Sequence, residues 1–186
     1  LIVSGANKIR YTADGTIGSW GKLFAGDTDS FGDHYAITHY DDKVAFAGYQ
    51  FVMTWALDDT SYTSLGTPTG ANTKINSMVE YEGDLIVGGS FTAIDGVPAE
   101  NMARWDGTEW FAMGQGISSL GSAEVRYILV DEDGALLVGG HYTKDGDLND
   151  LDAISIWNGA QFVNAADNYV GGTINAIGVY SGSFEL

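Results

Sequence analysis

The feature that most constrains this chain is a short apolar run ending in glycine, which occurs four times. The four runs are 1–5, 44–48, 85–89 and 136–140. Their last residues are 43, 41 and 51 positions apart. Self-similarity at a period of about 20–50 residues is typical of repeat architectures. The sequence therefore predicts a repeat protein.

Each repeat contains the parts of a four-stranded sheet. A second apolar segment precedes each of the last three runs, with a further copy near the chain's end: 34–40, 75–81, 125–130 and 174–180. A short turn rich in Asp and Gly joins the two segments, which predicts a β-hairpin of strands A and B. Two aromatic positions follow as strands C and D: Tyr11 and Trp20, Trp55 and Tyr62, Trp105 and Trp110, Trp157 and Phe162. Four short strands in about 40–50 residues indicate a β-propeller blade.

The residue types have physical reasons. A blade buries both faces against its neighbours, so strand B can be a continuous apolar run. A glycine pair at its end permits a β-bulge or a close backbone approach. We expect the two aromatic side chains of each repeat to fill the space between blades.

The third repeat carries the most specific motif. Its segment 87–92 reads Val-Gly-Gly-Ser-Phe-Thr, and Trp105-Asp106-Gly107 and Trp110 follow after a spacer. This order resembles the kelch repeat of galactose-oxidase-type β-propellers. It is similar above all to the Gly-Gly-x-Phe repeats of secreted bacterial surface proteins and fungal cortical-marker propellers. The resemblance implies an all-β propeller of four-stranded antiparallel blades in an extracellular or cell-surface protein.

The repeats divide the whole chain, so we expect residues 1–186 to form a single propeller domain or a fragment of one. The expected repeats are 1–33, 34–73, 74–123, 124–172 and a partial fifth, 173–186. The sequence begins and ends within a strand B, which favours four repeats of a larger propeller. The alternative is a closed ring of four blades in which 174–180 supplies the strand A of the first blade.

Charge limits the partners of this chain. It has 25 acidic and eight basic residues, a formal net charge of −17. Nucleic acid is disfavoured as a partner because phosphate binding requires a basic patch. No apolar run approaches the roughly 20 residues of a membrane span, and the chain has no cysteine for disulfides. Most Asp residues fall in turns, where they satisfy turn geometry. A high-salt environment or calcium binding would also explain them.

The connection between strands B and C has grown in two repeats. From glycine to the strand C aromatic takes six and seven residues in repeats one and two, but sixteen and seventeen in repeats three and four. Insertions in repeat proteins often form the binding face. We therefore interpret Asp95, Glu100 and Asp150 as candidate ligand-binding residues. The alternative is that long loops merely tolerate insertions.

The longer loop of repeat four has alternating oxygen ligands. Its candidate calcium ligands are Asp145, Asp147, Asn149 and Asp152. The segment departs from the EF-hand pattern, because Asp150 stands where glycine is needed and Ile156 stands where the bidentate Glu belongs. Calcium is the only cofactor that the sequence suggests.

Two functions remain open from the residues. The first is a non-catalytic binding, adhesion or scaffold module of a surface-exposed protein, with a protein or glycan ligand at the long loops. The partners could also include further blades or domains of the same chain. The alternative is a glycan-acting enzyme with its site at the mouth of the propeller channel, since propellers support many chemistries.

Overall fold

The computed structural model describes residues 2–5, 8–12, 20–22, 34–56, 62–147, 149–165, 172–175 and 177. This part of the chain is all-β, contains no helix, and forms several antiparallel sheets. The predicted all-β class is therefore confirmed. Since the described residues include no helix, none of them belongs to a helical membrane span.

Twenty strands are present in the described residues. In chain order they are β1 (Ile2–Gly5), β2 (Lys8–Thr12), β3 (Trp20–Lys22), β4 (His34–Tyr40), β5 (Lys43–Gly48), β6 (Val52–Ala56), β7 (Tyr62–Gly66), β8 (Pro68–Thr69), β9 (Lys74–Tyr81), β10 (Asp84–Ser90), β11 (Ala93–Ile94), β12 (Val97–Pro98), β13 (Met102–Trp105), β14 (Trp110–Ala112), β15 (Ile117–Ser118), β16 (Glu124–Val130), β17 (Leu136–His141), β18 (Lys144–Asp145), β19 (Ile154–Trp157) and β20 (Phe162–Asn164).

Most strands belong to four main sheets that follow one another along the chain. The first has the order β1-β2-β3, the second β4-β5-β6-β7, the third β9-β10-β13-β14 and the fourth β16-β17-β19-β20. Each of the last three contains strands A, B, C and D as an antiparallel meander. Strand A of one sheet packs on strand A of the next, as β4 does on β9 and β9 on β16. The sheets are thus stacked in sequence order.

The turns form as their residues predict. Asp41 and Asp42 have positive φ angles of 47° and 56°, and Glu82 and Gly83 have 53° and 88°. Two consecutive residues with positive φ suit the right-handed twist of a hairpin. Between strands C and D, the Asp106 carboxylate accepts hydrogen bonds from the backbone amides of Thr108 and Glu109. Many of the acidic residues therefore have a structural role in turns.

Strand B is buried on both faces, as predicted. In β10, Leu85 and Val87 belong to the core between the second and third sheets. Ile86, between them in sequence, belongs to the core between the third and fourth sheets. All three are at most 1% exposed. Apolar residues on alternate faces of β10 are needed because the third sheet has a neighbour on either side.

The glycine pair ends strand B at a β-bulge. The register of β9 and β10 shifts between Gly88 and Gly89, so that Asn76 has no partner residue. A Cβ on Gly89 would overlap the carbonyl oxygen of Lys74, while one on Gly88 would lie 2.6 Å from Val125 Cγ1 of the fourth sheet. The second glycine therefore permits the bulge, and the first permits close packing between sheets.

The aromatic side chains fill the spaces between sheets only in part. Trp110 and Phe162 in strand D are 4% and 3% exposed. Tyr62, at the same repeat position, is 46% exposed, so its predicted burial is wrong. The first three residues of β7 are all exposed, and the strand is buried only from Leu65 onward. The physical reason is that strand D lies at the edge of its sheet, so its burial depends on cover from a neighbouring sheet. Trp105 of strand C is partly buried against the core.

Candidate functional site

The two long connections between strands B and C are ordered by extra pairing. In the third sheet the connection forms the hairpin β11–β12, and β11 pairs with β8 in the preceding connector. In the fourth sheet, β18 pairs with β15, again in the preceding connector. Antiparallel alternation places these connections at the same end of their sheets. We call the segments 67–73, 90–101, 113–123 and 141–153 together the B–C edge.

Asp95 and Glu100 lie on the loop of the third sheet. Asp95 is at the tip of the hairpin, where its φ of 48° and the 82° of Gly96 form the turn. Its backbone amide donates to the Thr67 carbonyl at 3.0 Å, and the Glu100 carbonyl accepts from the amide of Ile117 at 2.9 Å. Both side chains are exposed. Their backbones are therefore fixed while their carboxylates face solvent.

Asn101 anchors this loop, and the sequence analysis did not single it out. Its side chain is 6% exposed. The amide oxygen accepts from the backbone N–H of Phe91 at 3.0 Å, and the amide nitrogen donates to the Ile117 carbonyl at 2.7 Å. Its φ of 63° lies in the left-handed region, which Asn tolerates well. One buried side chain thus joins the loop to the connector toward the fourth sheet.

We expect Asn101→Ala to destabilise the protein by about 2–4 kcal/mol, because it leaves two buried backbone groups without partners and adds left-handed strain. Asn101→Gly removes the same hydrogen bonds without that strain. The glycine variant should therefore be about 1 kcal/mol more stable than the alanine variant. Urea titration of the three proteins measures both differences. Equal stability of wild type and Asn101→Ala would contradict the anchoring role.

The loop of the fourth sheet holds the other candidates. Asp145 is 5% exposed, and its two carboxylate oxygens accept from the backbone and side-chain amides of Asn149 at 2.8 and 2.7 Å. Asp150 forms an ion pair with Lys144 at 2.5 Å. Asp147 is exposed, and the backbone N–H of Asp152 donates to Asn164 at 2.7 Å.

The proposed calcium ligands do not converge on one point in this part of the structure. Among the described residues, no group of three or more His, Asp or Glu side chains is close enough to hold a metal ion. Asp145 instead uses its carboxylate to close the loop onto Asn149. Calcium binding by Asp145, Asp147, Asn149 and Asp152 remains a prediction of the sequence.

The structure brings the two loops together through the connector between them. Ser118 Oγ donates to the Asp145 carbonyl at 2.7 Å, and the amide of Gly146 donates to the Gly116 carbonyl at 3.2 Å. On its other side, the connector is hydrogen-bonded to the loop of the third sheet. The Ile117 amide donates to the Glu100 carbonyl, and the Asn101 side-chain amide donates to the Ile117 carbonyl. The two acidic loops therefore flank one segment, 113–118, in a continuous hydrogen-bonded surface.

A charged network on the A strands β9 and β16 also escaped the sequence analysis. Glu124 forms ion pairs with Lys74 at 2.5 Å and Arg126 at 3.0 Å. Burial alone would raise the pKa of Glu124, but the hydrogen bonds from these two cations hold it below its usual value. Arg126 also donates to Asn175, and Asn76 donates to the Val125 carbonyl at 2.7 Å.

These contacts are made by residues at the β-bulges of β9 and β16. Asn76 and Arg126 occupy the bulged positions of β9 and β16. Each donates a hydrogen bond to a residue of the next repeat, Asn76 to Glu124 and Val125, and Arg126 to Asn175. The signal in the sequence was the glycine pair, which marks the bulge on the facing strand.

Two cavities open beside the loops. One of about 360 Å³ lies against the loop of the third sheet, and its lining includes Ser90, Glu100 and Ser122. The other, of about 260 Å³, includes Asp145 and Asp147 in its lining. Both predicted loops therefore contribute carboxylates to a concave surface.

No protein-family model matches this chain, and no curated protein is significantly similar to it.

Proposed function

We propose that the stacked sheets are blades of a β-propeller with kelch-like repeats. Three observations support this. The last three main sheets are each a four-stranded meander with a similar arrangement, their A strands pack in sequence order, and both glycine pairs end strand B at a bulge. Radial repetition of such sheets is the propeller plan. The specific resemblance to kelch-like repeats depends on the Gly-Gly-x-Phe motif of the third repeat.

We further propose that the chain is a non-catalytic binding module of an extracellular or cell-surface protein, with its ligand at the B–C edge. The observation that carries this is the hydrogen-bonded surface formed by the two long loops and the connector 113–118. Loops held on a rigid scaffold are the usual place for binding residues. Asp95, Glu100, Asp147 and Asp150 have exposed carboxylates at this edge, and Asp95, Glu100 and Asp150 are the proposed ligand-binding residues.

The charge of the molecule favours a neutral or cationic partner surface. Each of the five Lys and Arg side chains described between residues 34 and 165 forms an ion pair with a carboxylate. The remaining acidic side chains give the surface its negative potential, which attracts cations and repels anions. A calcium ion at the loop of the fourth sheet would fit the same potential.

The test removes charge from the B–C edge without changing the fold. The full chain is applied to a printed glycan array and a panel of extracellular protein domains, with and without calcium. We expect at least one ligand to bind, and the double variant Asp95→Asn/Glu100→Gln to weaken its binding about tenfold, the effect of one or two lost charged contacts.

The matched control removes two charges from the opposite end of the sheets. Glu132 and Asp133 lie in the exposed turn between strands A and B of the fourth sheet, so Glu132→Gln/Asp133→Asn should leave binding unchanged. Loss of binding in this control, with full binding by the first variant, would place the ligand elsewhere. Circular dichroism checks that both variants fold.

A further inference from the structure

The larger cavity at the B–C edge has the lining of a small-molecule site. Its volume is about 360 Å³, within the range of about 300–1,000 Å³ that is usual for ligand pockets. Its walls come from the connector 67–73, the loop 90–101 and the connector 113–123. We call it the serine cleft, because Ser90, Ser118, Ser119 and Ser122 line it.

The polar groups of the serine cleft fall into two sets. Asn101 and Ser118 hold the walls together through hydrogen bonds to Phe91, Ile117 and Asp145. The Thr92 hydroxyl donates to the Thr69 carbonyl, and the Ser119 hydroxyl accepts from the Gly121 amide. Within the described residues, by contrast, the side chains of Asn72, Ser90, Glu100 and Ser122 make no hydrogen bond. Four unengaged polar groups therefore surround one concave space whose walls are fixed.

The chemistry of the unengaged groups indicates what they would bind. Ser hydroxyls and the Asn amide each offer a donor and an acceptor, and the Glu carboxylate offers acceptors only. The lining includes no basic side chain among the described residues, so an anionic ligand would find no counter-charge. Mixed donors and acceptors with one carboxylate match a ligand that carries several hydroxyl groups.

An exposed apolar residue, Leu120, lies in sequence between two residues of the cleft wall but is not itself part of the lining. Leu120 is 84% exposed, and its neighbours Ser119 and Gly121 both line the cavity. Exposed leucine in a loop of small polar residues has no packing role there. It can cover the C–H face of a sugar ring while the cleft binds the hydroxyl groups, a combination of apolar contact and few placed polar groups that is typical of ligand sites.

We propose that the serine cleft binds a neutral saccharide, with Ser90, Ser122 and Glu100 as hydrogen-bonding residues and Leu120 as the apolar contact. This inference depends on the proposed binding function, which it narrows to one ligand class and one cavity. A cationic peptide is the less favoured ligand, because a single solvent-exposed carboxylate such as Glu100 binds an ammonium group only weakly.

The experiment uses the full chain and a set of neutral trisaccharides of glucose, mannose, xylose and N-acetylglucosamine. Isothermal titration calorimetry with each sugar up to about 10 mM should identify at least one that binds. We expect Ser90→Ala/Ser122→Ala and, separately, Glu100→Gln to weaken that binding about tenfold or more, and Leu120→Ser to weaken it about threefold. Glu132→Gln/Asp133→Asn, in the exposed turn at the opposite end of the fourth sheet, should change it less than twofold.

Three outcomes would overturn the proposal. If none of the trisaccharides binds, the saccharide class is wrong, although the B–C edge remains a binding surface if a protein ligand depends on Asp95 and Glu100. If Asp147→Asn, which alters the other cavity of the B–C edge, abolishes sugar binding while the cleft variants retain it, the location is wrong. If an oligolysine peptide binds at the cleft and the sugars do not, the ligand is cationic.

Discussion

Replacing Gly89 by alanine is expected to destabilise the protein by about 3–5 kcal/mol. The added Cβ would overlap the carbonyl oxygen of Lys74 in the paired strand, and a backbone atom cannot rotate away as a side chain does. The strands must separate or the bulge must open, which is among the costlier forms of overpacking. Gly140→Ala should behave alike, because its Cβ would overlap the Glu124 carbonyl. Chemical denaturation measures both losses.

Gly121→Ala is the matched control. A Cβ there would have no heavy atom within 4 Å, and the backbone is not in the left-handed region, so stability should change by less than about 0.5 kcal/mol. A loss of under about 1 kcal/mol for Gly89→Ala would show that β9 and β10 do not meet at this bulge.

Trp110→Ala should cost about 3–5 kcal/mol, as for other buried tryptophans. The indole is 4% exposed and belongs to the core between the second and third sheets. Its Nε1 donates to the Leu65 carbonyl of the second sheet at 2.7 Å. The ring also packs on Trp105 across the strand pair, with centroids 5.4 Å apart. Its loss would leave both a cavity and an unsatisfied carbonyl between two sheets.

Two further variants separate these effects. Trp110→Phe retains most of the apolar volume but removes the donor, so it should cost about 1–3 kcal/mol. Tyr62→Ala changes the same repeat position in the second sheet, where the side chain is 46% exposed, and should cost about 1 kcal/mol or less. If Tyr62→Ala were as harmful as Trp110→Ala, burial would not explain the contribution of this position.

Sequence reasoning succeeded where a local pattern has one physical solution. The apolar run of strand B requires burial on both faces, and Ile86 and Val87 lie in different cores as that requires. Gly88-Gly89 predicted a bulge or close approach, and both occur. The expectation that Asp residues satisfy turn geometry holds at Asp106, whose side chain bonds to its own backbone neighbours. None of these inferences needed a distant partner.

Sequence reasoning was incomplete where a side chain's contacts or burial depend on residues that are remote in sequence. Asn101 has no local motif, since its partners are Phe91 and Ile117. Glu124 meets Lys74, fifty residues away, only because successive sheets stack. Tyr62 and Trp110 occupy equivalent positions in the pattern but differ in exposure, because strand D is an outer strand whose cover depends on the neighbouring sheet. The predicted site residues were placed on two loops, but the connector that unites them was not foreseen.

The meander order of the main sheets affects how the chain can reach its native state. In β4-β5-β6-β7 every strand pairs with the strand before or after it along the chain. Such contacts close small loops, whose entropic cost is low, and low contact order favours rapid folding. Each sheet can therefore nucleate within its own stretch of chain, and docking onto the adjacent sheet is left as a separate, later event.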